Sequence, residues 1–252
     1  MELIIENLKS INYVNNYTIS DLWNSMIKNT IYEHFSLAVK EENNYIIKNL
    51  LTKFKEYYHI EFLDNVTVLD LNLLNKYNKL NNTNYKVKDN EIANISNFGF
   101  SSMIVSKANK SINGIIVNTP SIRYFFSYLM LKKYIIPDKI ILEIGCCSSA
   151  GVACQILKYH KDEIKCLLLC DIFEVLLFTY SVLQYNFPNL KIHFFDNNEN
   201  KNIDELIKDN NIILIPPENI HYFSNCEIEF CFNSYSLSEM TINNINENFE
   251  FL

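Results

Sequence analysis

Apolar residues recur at two different spacings along the chain, and the change from one to the other divides it. Between Glu41 and Tyr58 they fall at Ile46, Ile47, Leu50, Leu51, Phe54 and Tyr57, the three-and-four spacing of a helix with one buried stripe. Ser20 and Asp21 offer a helix start ahead of Leu22, Trp23, Met26 and Ile27. The first hundred residues therefore read as mostly helical, with the asparagine-rich stretch 75–94 as a loop. A further helix is expected from Thr119-Pro120, where threonine can cap the free amides and proline suits the first helical position. It carries Ile122, Phe125, Phe126, Leu129 and Met130 and should stop before Pro137.

After Lys139 the pattern changes to alternating strands and helices. Strands are expected at 139–145, 164–171, 191–195, 212–215 and 227–232. Helices are expected at 149–160, 173–186 and 203–208. Strands alternating with helices imply a parallel sheet covered on both faces. The expectation is an α/β fold with a Rossmann-like, mainly parallel sheet of four to five strands. Residues 1–115 form a mostly helical N-terminal region, and residues 116–252 the Rossmann-like domain.

Composition narrows the partners. The 252 residues carry a formal net charge of −7, and Arg123 is the single arginine, so a nucleic-acid surface is not expected. The N-terminus lacks a basic segment followed by an apolar one, and no apolar run is long enough to span a membrane. The seven cysteines lie between Cys146 and Cys231, none spaced Cys-x-x-Cys. That disfavours a metal site or a disulfide framework and fits free thiols in a reducing compartment, the cytoplasm.

The candidate chemistry sits at strand ends. Ile141-Leu142-Glu143-Ile144-Gly145 runs into the small residues Cys146, Cys147, Ser148, Ser149, Ala150 and Gly151 just before a helix. Glycine lets the backbone turn tightly there, and the helix start offers free amides. Asp171, at the end of the next strand, can accept ribose hydroxyls. Asp196 with Asn197, at the end of the third, can reach a base edge. The plainer readings are an ordinary strand-to-helix turn, a helix cap at Asp171, and a solvated turn at Asp196.

Four segments carry a resemblance: Ile-Leu-Glu-Ile-Gly, Leu-Leu-Cys-Asp-Ile-Phe-Glu-Val-Leu, Ile-Leu-Ile-Pro and Phe-Asn-Ser-Tyr-Ser-Leu-Ser-Glu-Met. Together they resemble the sugar O-methyltransferase family, whose members are class I S-adenosylmethionine-dependent methyltransferases. The resemblance covers roughly Arg123 to Met240, and Trp23 and the Arg123-Tyr124 pair fit it more loosely. It implies S-adenosyl-L-methionine as cofactor, held by Glu143, Gly145, Cys147, Ser149, Asp171 and Asp196, and a sugar or glycan-precursor substrate near Arg123 and Asn233. His221 and Glu239 are the candidate bases for the acceptor hydroxyl. The bland alternatives are a surface histidine, a first-turn glutamate, a surface ion pair at Arg123 and a strand-end turn residue at Asn233.

Two departures qualify the resemblance. The family loop is Gly-Gly-Gly-x-Gly, whereas here the matching residues are Gly145, Cys146, Cys147, Ser148 and Ser149. The family sheet also has seven strands, so the resemblance implies that the last strands are missing, that the strand at 227–232 is an open edge, and that a second copy or a partner covers it. The alternative function is a non-catalytic Rossmann-like remnant binding a nucleoside or a protein. A nicotinamide-dependent oxidoreductase ranks last, because its fingerprint needs further glycines beside the pyrophosphate.

Overall fold

The computed structural model describes residues 1–11, 24, 27–28, 30–57, 78–79, 109–112, 115–147, 150–196, 202–233, 236 and 240. The N-terminal region contributes helices α1 (Glu2–Lys9), α2 (Ile31–Lys40) and α3 (Asn44–Tyr57). The helical stripe read at 41–58 is thus α3. The helix expected from Ser20 lies outside the described residues, apart from helical Asn24 and Ile27. The loop expected at 75–94 lies outside them too, except for Asn78 and Lys79, which are helical.

A two-stranded antiparallel hairpin follows, β1 (Asn109–Ile112) and β2 (Ile115–Asn118), with Ile112 opposite Ile115. The residues between them are Asn113-Gly114, the pair that most favours a two-residue hairpin connection. The boundary drawn at 115/116 from the sequence falls inside this hairpin. Helix α4 (Thr119–Leu131) starts directly after β2 and runs into a 3-10 turn at Lys132–Tyr134, short of Pro137.

The rest is an alternating α/β unit: β3 (Ile140–Ile144), α5 (Gly151–His160), β4 (Cys166–Cys170), α6 (Phe173–Asn186), β5 (Ile192–Phe194), α7 (Ile203–Asp209), β6 (Ile212–Ile215), a 3-10 stretch at Pro217–Phe223, and β7 (Ile228–Asn233). The five strands form one sheet in the order β5-β6-β4-β3-β7, and every neighbouring pair is parallel. The α/β, Rossmann-like architecture with an N-terminal helical region is therefore the observed one.

Every residue of β3, β4 and β6 is buried, which is why these strands read as unbroken apolar runs rather than alternating ones. On one face Ile141, Leu167, Leu169, Ile212 and Leu214 pack with α5 and α6. On the other, Ile140, Leu142, Ile144, Leu168, Ile213 and Ile215 pack with Leu206 and Ile207 of α7 and Phe223. Helix α6 is apolar around most of its circumference, and its residues from Phe173 to Gln184 are all buried. Such a helix needs cover on two sides. The sheet supplies one side and the N-terminal helices the other. Phe35 of α2 stacks on Phe178 at 4.2 Å, and Asn7 of α1 donates to the Tyr180 hydroxyl at 2.8 Å. Among the described residues, no helix is long and apolar enough to cross a membrane.

Candidate functional site

In open parallel sheets, ligands bind outside the carboxyl ends of the strands, where the strand order reverses. The chain leaves β3 toward β4 on one side and returns to β7 on the other. The crevice is therefore at the ends of β3 and β7, and the rim runs, in sheet order, from Asp196 past Pro216 and Asp171 to Gly145 and Asn233.

The loop after β3 carries the most distinctive backbone on this rim. Gly145 has φ +74°, Cys147 φ +63° and Ala150 φ +47°. This is the left-handed region that favours glycine and costs a residue with a Cβ about 1–2 kcal/mol. Among the described residues of this loop, Cys147 and Ala150 take that conformation although neither is glycine. Several groups hold it in place. Asp171 Oδ2 accepts from the Cys147 amide at 2.9 Å, and Oδ1 accepts from Ile172 at 2.8 Å. Thr179 of α6 donates to the Cys147 carbonyl at 3.0 Å. From α4, the Tyr124 ring lies against Gly151 so closely that a Cβ there would overlap it, and the Tyr124 hydroxyl stands 3.6 Å from Cys147 Sγ.

Gly145 has a second reason to be glycine. A Cβ on it would overlap the side chain of Ser236. Asn233, the last residue of β7, donates through Nδ2 to the Ile144 carbonyl at 2.7 Å and also to Ser236 Oγ, while the Ser236 amide donates back to Asn233 Oδ1 at 3.1 Å. Asn233 therefore ties the ends of β3 and β7 together across the crevice.

The remaining candidates are spread along the rim. Glu143 is buried, with 1% exposure. The thiol of Cys154 is raised by burial and then by the charge of Glu143. That of Cys146 is raised by burial, then by Asp171 and Glu143. Asp196 follows β5, which is separated from β4 by β6. His221 lies exposed in the 3-10 stretch after β6, its ring 4.3 Å from that of Tyr222. At the end of β3, His221 would have to reach past β4, about 10 Å at ordinary strand spacing. Arg123 belongs to α4, Ser149 and Glu239 lie outside the described residues, and so the structure brings together Gly145, Cys147, Asp171 and Asn233.

Two contributors, Thr179 and Glu218, carry no signal in the sequence, and Tyr124 entered only as part of the Arg123-Tyr124 pair, with no role at the loop. A threonine inside an apolar helix gives no sign that it faces a loop. Glu218 became visible only through the strand order, which sets β6 beside β4; the Asp171 amide meets the Ile215 carbonyl at 3.4 Å. Burial, with the charge of Glu174 adding to it, holds the Glu218 carboxyl above its usual range. The seven cysteines are all free, and the described residues contain no group of three or more side chains suited to hold a metal ion. No family model matches the chain, and neither a curated protein nor a solved structure does.

Proposed function

We propose that this chain binds S-adenosylmethionine at the carboxyl rim of its sheet and transfers the methyl group to a hydroxyl of a sugar or glycan precursor. The observation that carries the reading is the loop after β3, where Gly145, Cys147 and Ala150 have left-handed backbone and the Cys147 amide is tied to Asp171 on the next strand. A carboxylate accepts up to about four hydrogen bonds. Asp171, which holds the loop through Cys147 and Ile172, is the carboxylate that this reading sets against the ribose hydroxyls. Cys147 and Asp171 are the residues that would hold the cofactor, because the space beside Gly145 is taken by Ser236.

The charge of the rim bears on the ligand class. Asp171 and Asp196 follow strands at this rim and Glu218 follows β6, and this acidic balance favours a cationic sulfonium over the pyrophosphate of a dinucleotide. When bound, the cofactor supplies an electrophilic methyl group. The protein's part is to set an acceptor hydroxyl in line with it and to remove the proton. Of the two candidate bases, Glu239 follows Ser236 by three residues, whereas His221 stands beyond β4 from the crevice. Free thiols fit the cytoplasm as the site of action.

A second reading is ligand binding without turnover. It is favoured by Cys147, which has a side chain and left-handed backbone at a position that is glycine in the family loop. Calorimetric titration with S-adenosylmethionine and with NAD tests the ligand class, and a methyl-transfer assay on a sugar panel then separates the two readings. Binding of S-adenosylmethionine alone is expected. Asp171→Ala should weaken it by roughly 1–3 kcal/mol, the cost of an unmatched polar group. No heat with S-adenosylmethionine, or unchanged affinity in the variant, would overturn the proposal.

A further inference from the structure

We infer that a hydrogen-bonded relay of Tyr128, His160 and Glu163, at the amino edge of the sheet, positions the Gly145–Ala150 loop at the opposite edge through helix α4. The relay is built in full. The Tyr128 hydroxyl lies 3.0 Å from His160 Nε2, and His160 Nδ1 lies 2.8 Å from Glu163 Oε2. With the carboxylate accepting from Nδ1–H, Nε2 is left to accept from the tyrosine. Burial, followed by the charges of Tyr159 and Glu163, pushes the Tyr128 phenol up to about 12, so it keeps its proton as donor. Tyr128 is 7% exposed, and its ring stacks on Tyr159 at 5.1 Å and 14°.

The connection to the loop is geometric. Tyr124 and Tyr128 are four residues apart on α4 and so share one face. His160 is the last residue of α5 and Gly151 the first. The two tyrosines therefore pin α4 to both ends of α5: Tyr128 at the amino edge, Tyr124 at the rim, where its hydroxyl meets Cys147. Backbone such as that of Cys147 persists only where its surroundings hold it. Slack at Tyr128 lets α4 shift along α5, which loosens the grip of Tyr124 on Cys147. The inference is independent of what the loop binds.

Cys147 supplies its own probe, because it is half-buried and its thiol is not in a disulfide. The experiment compares its alkylation by iodoacetamide, resolved by peptide mass spectrometry, in the wild type, Tyr124→Phe, Tyr128→Phe and the double variant. Both substitutions keep the ring and remove only the hydroxyl. Each single change should raise the rate about fivefold, the factor that one lost hydrogen bond is worth. The double variant should show about the same fivefold rise, since both act on one contact. Cys226 and Cys231, also half-buried, report general loosening and should keep their rates. A Cys147 rate unchanged by Tyr128→Phe, a product of the two single effects of about 25-fold in the double variant, or a parallel rise at Cys226 and Cys231 would overturn the inference.

Discussion

Cys147 is the residue at which sequence and backbone disagree most. Its φ of +63° is one that glycine adopts freely and a β-carbon opposes. Relief of that strain is worth about 1–2 kcal/mol. Glycine gives back roughly 0.5–1 kcal/mol through the entropy of the unfolded chain. Cys147→Gly is therefore expected to stabilise the protein by about 0.5–1 kcal/mol, seen as a higher urea midpoint at unchanged slope. A lower midpoint would mean that the thiol's contact with Tyr124 outweighs the strain. Gly145 behaves in the opposite sense. Its φ of +74° and the contact with Ser236 leave no room for alanine. The sequence marked the loop through Gly145 and the small residues after it, but nothing in Cys147 or Ala150 announces a left-handed backbone.

At the scale of elements, the strands and helices after Lys139 were legible because short apolar runs alternate with longer segments, each bounded by a stop signal. The helix expected at 173–186 and the strand expected at 212–215 coincide with α6 and β6. Strand order was not legible, since local pattern says nothing about which strand lies beside which. The chain places β6 between β4 and β5, so Asp196 ends two strands from Asp171, and Glu218 follows the nearer one. The hairpin β1–β2 could have been found from Asn113-Gly114 between apolar residues. Helix α6 shows what the sequence marks without explaining: an apolar helix must be covered twice, and only the fold reveals that α1 and α2 provide the outer cover. A specific bond fixes α1 there, from Asn7 Nδ2 to the Tyr180 hydroxyl, which itself donates to Gln184 at 3.4 Å. Asn7→Ala should cost about 1 kcal/mol of stability. It should also speed amide exchange in α1 while α6 stays protected. Exchange unchanged in α1 would show that Ile4, Ile5 and Leu8 alone hold the helix.

The whole molecule carries an unusual store of buried acids that stay protonated. Burial raises the thiols of Cys146, Cys154 and Cys170 far above their ordinary value, and that of Cys166 to about 12. In the unfolded chain these thiols lose their protons near their ordinary value of 9.0. Above that pH the native state holds more protons than the unfolded one, so stability falls as pH rises. Stability from this source is fully present below pH 9.0 and drains away up to the folded values, which for Cys166 means about 12. Each fully buried thiol contributes a slope of at most about 1.4 kcal/mol per pH unit. Four such thiols acting together reach about 5 kcal/mol per unit, comparable with the total stability of many domains. Tyr128, with its phenol held at about 12, adds to the slope above its ordinary value of 10.0. These thiols should therefore leave stability unchanged between pH 7 and 8, begin to lower it near 9, and drive cooperative unfolding within about two units above that. Thiolate absorbance should appear together with unfolding rather than before it. Denaturation midpoints followed from pH 7 to 11, with thiolate absorbance read on the same samples, test this. Cys166→Ala adds an independent check, because it should flatten the alkaline slope by about one thiol's share even though its cavity lowers stability at neutral pH. Thiols that titrate near 9 while the fold remains intact would show that the interior admits water and that these side chains are not sealed in the core.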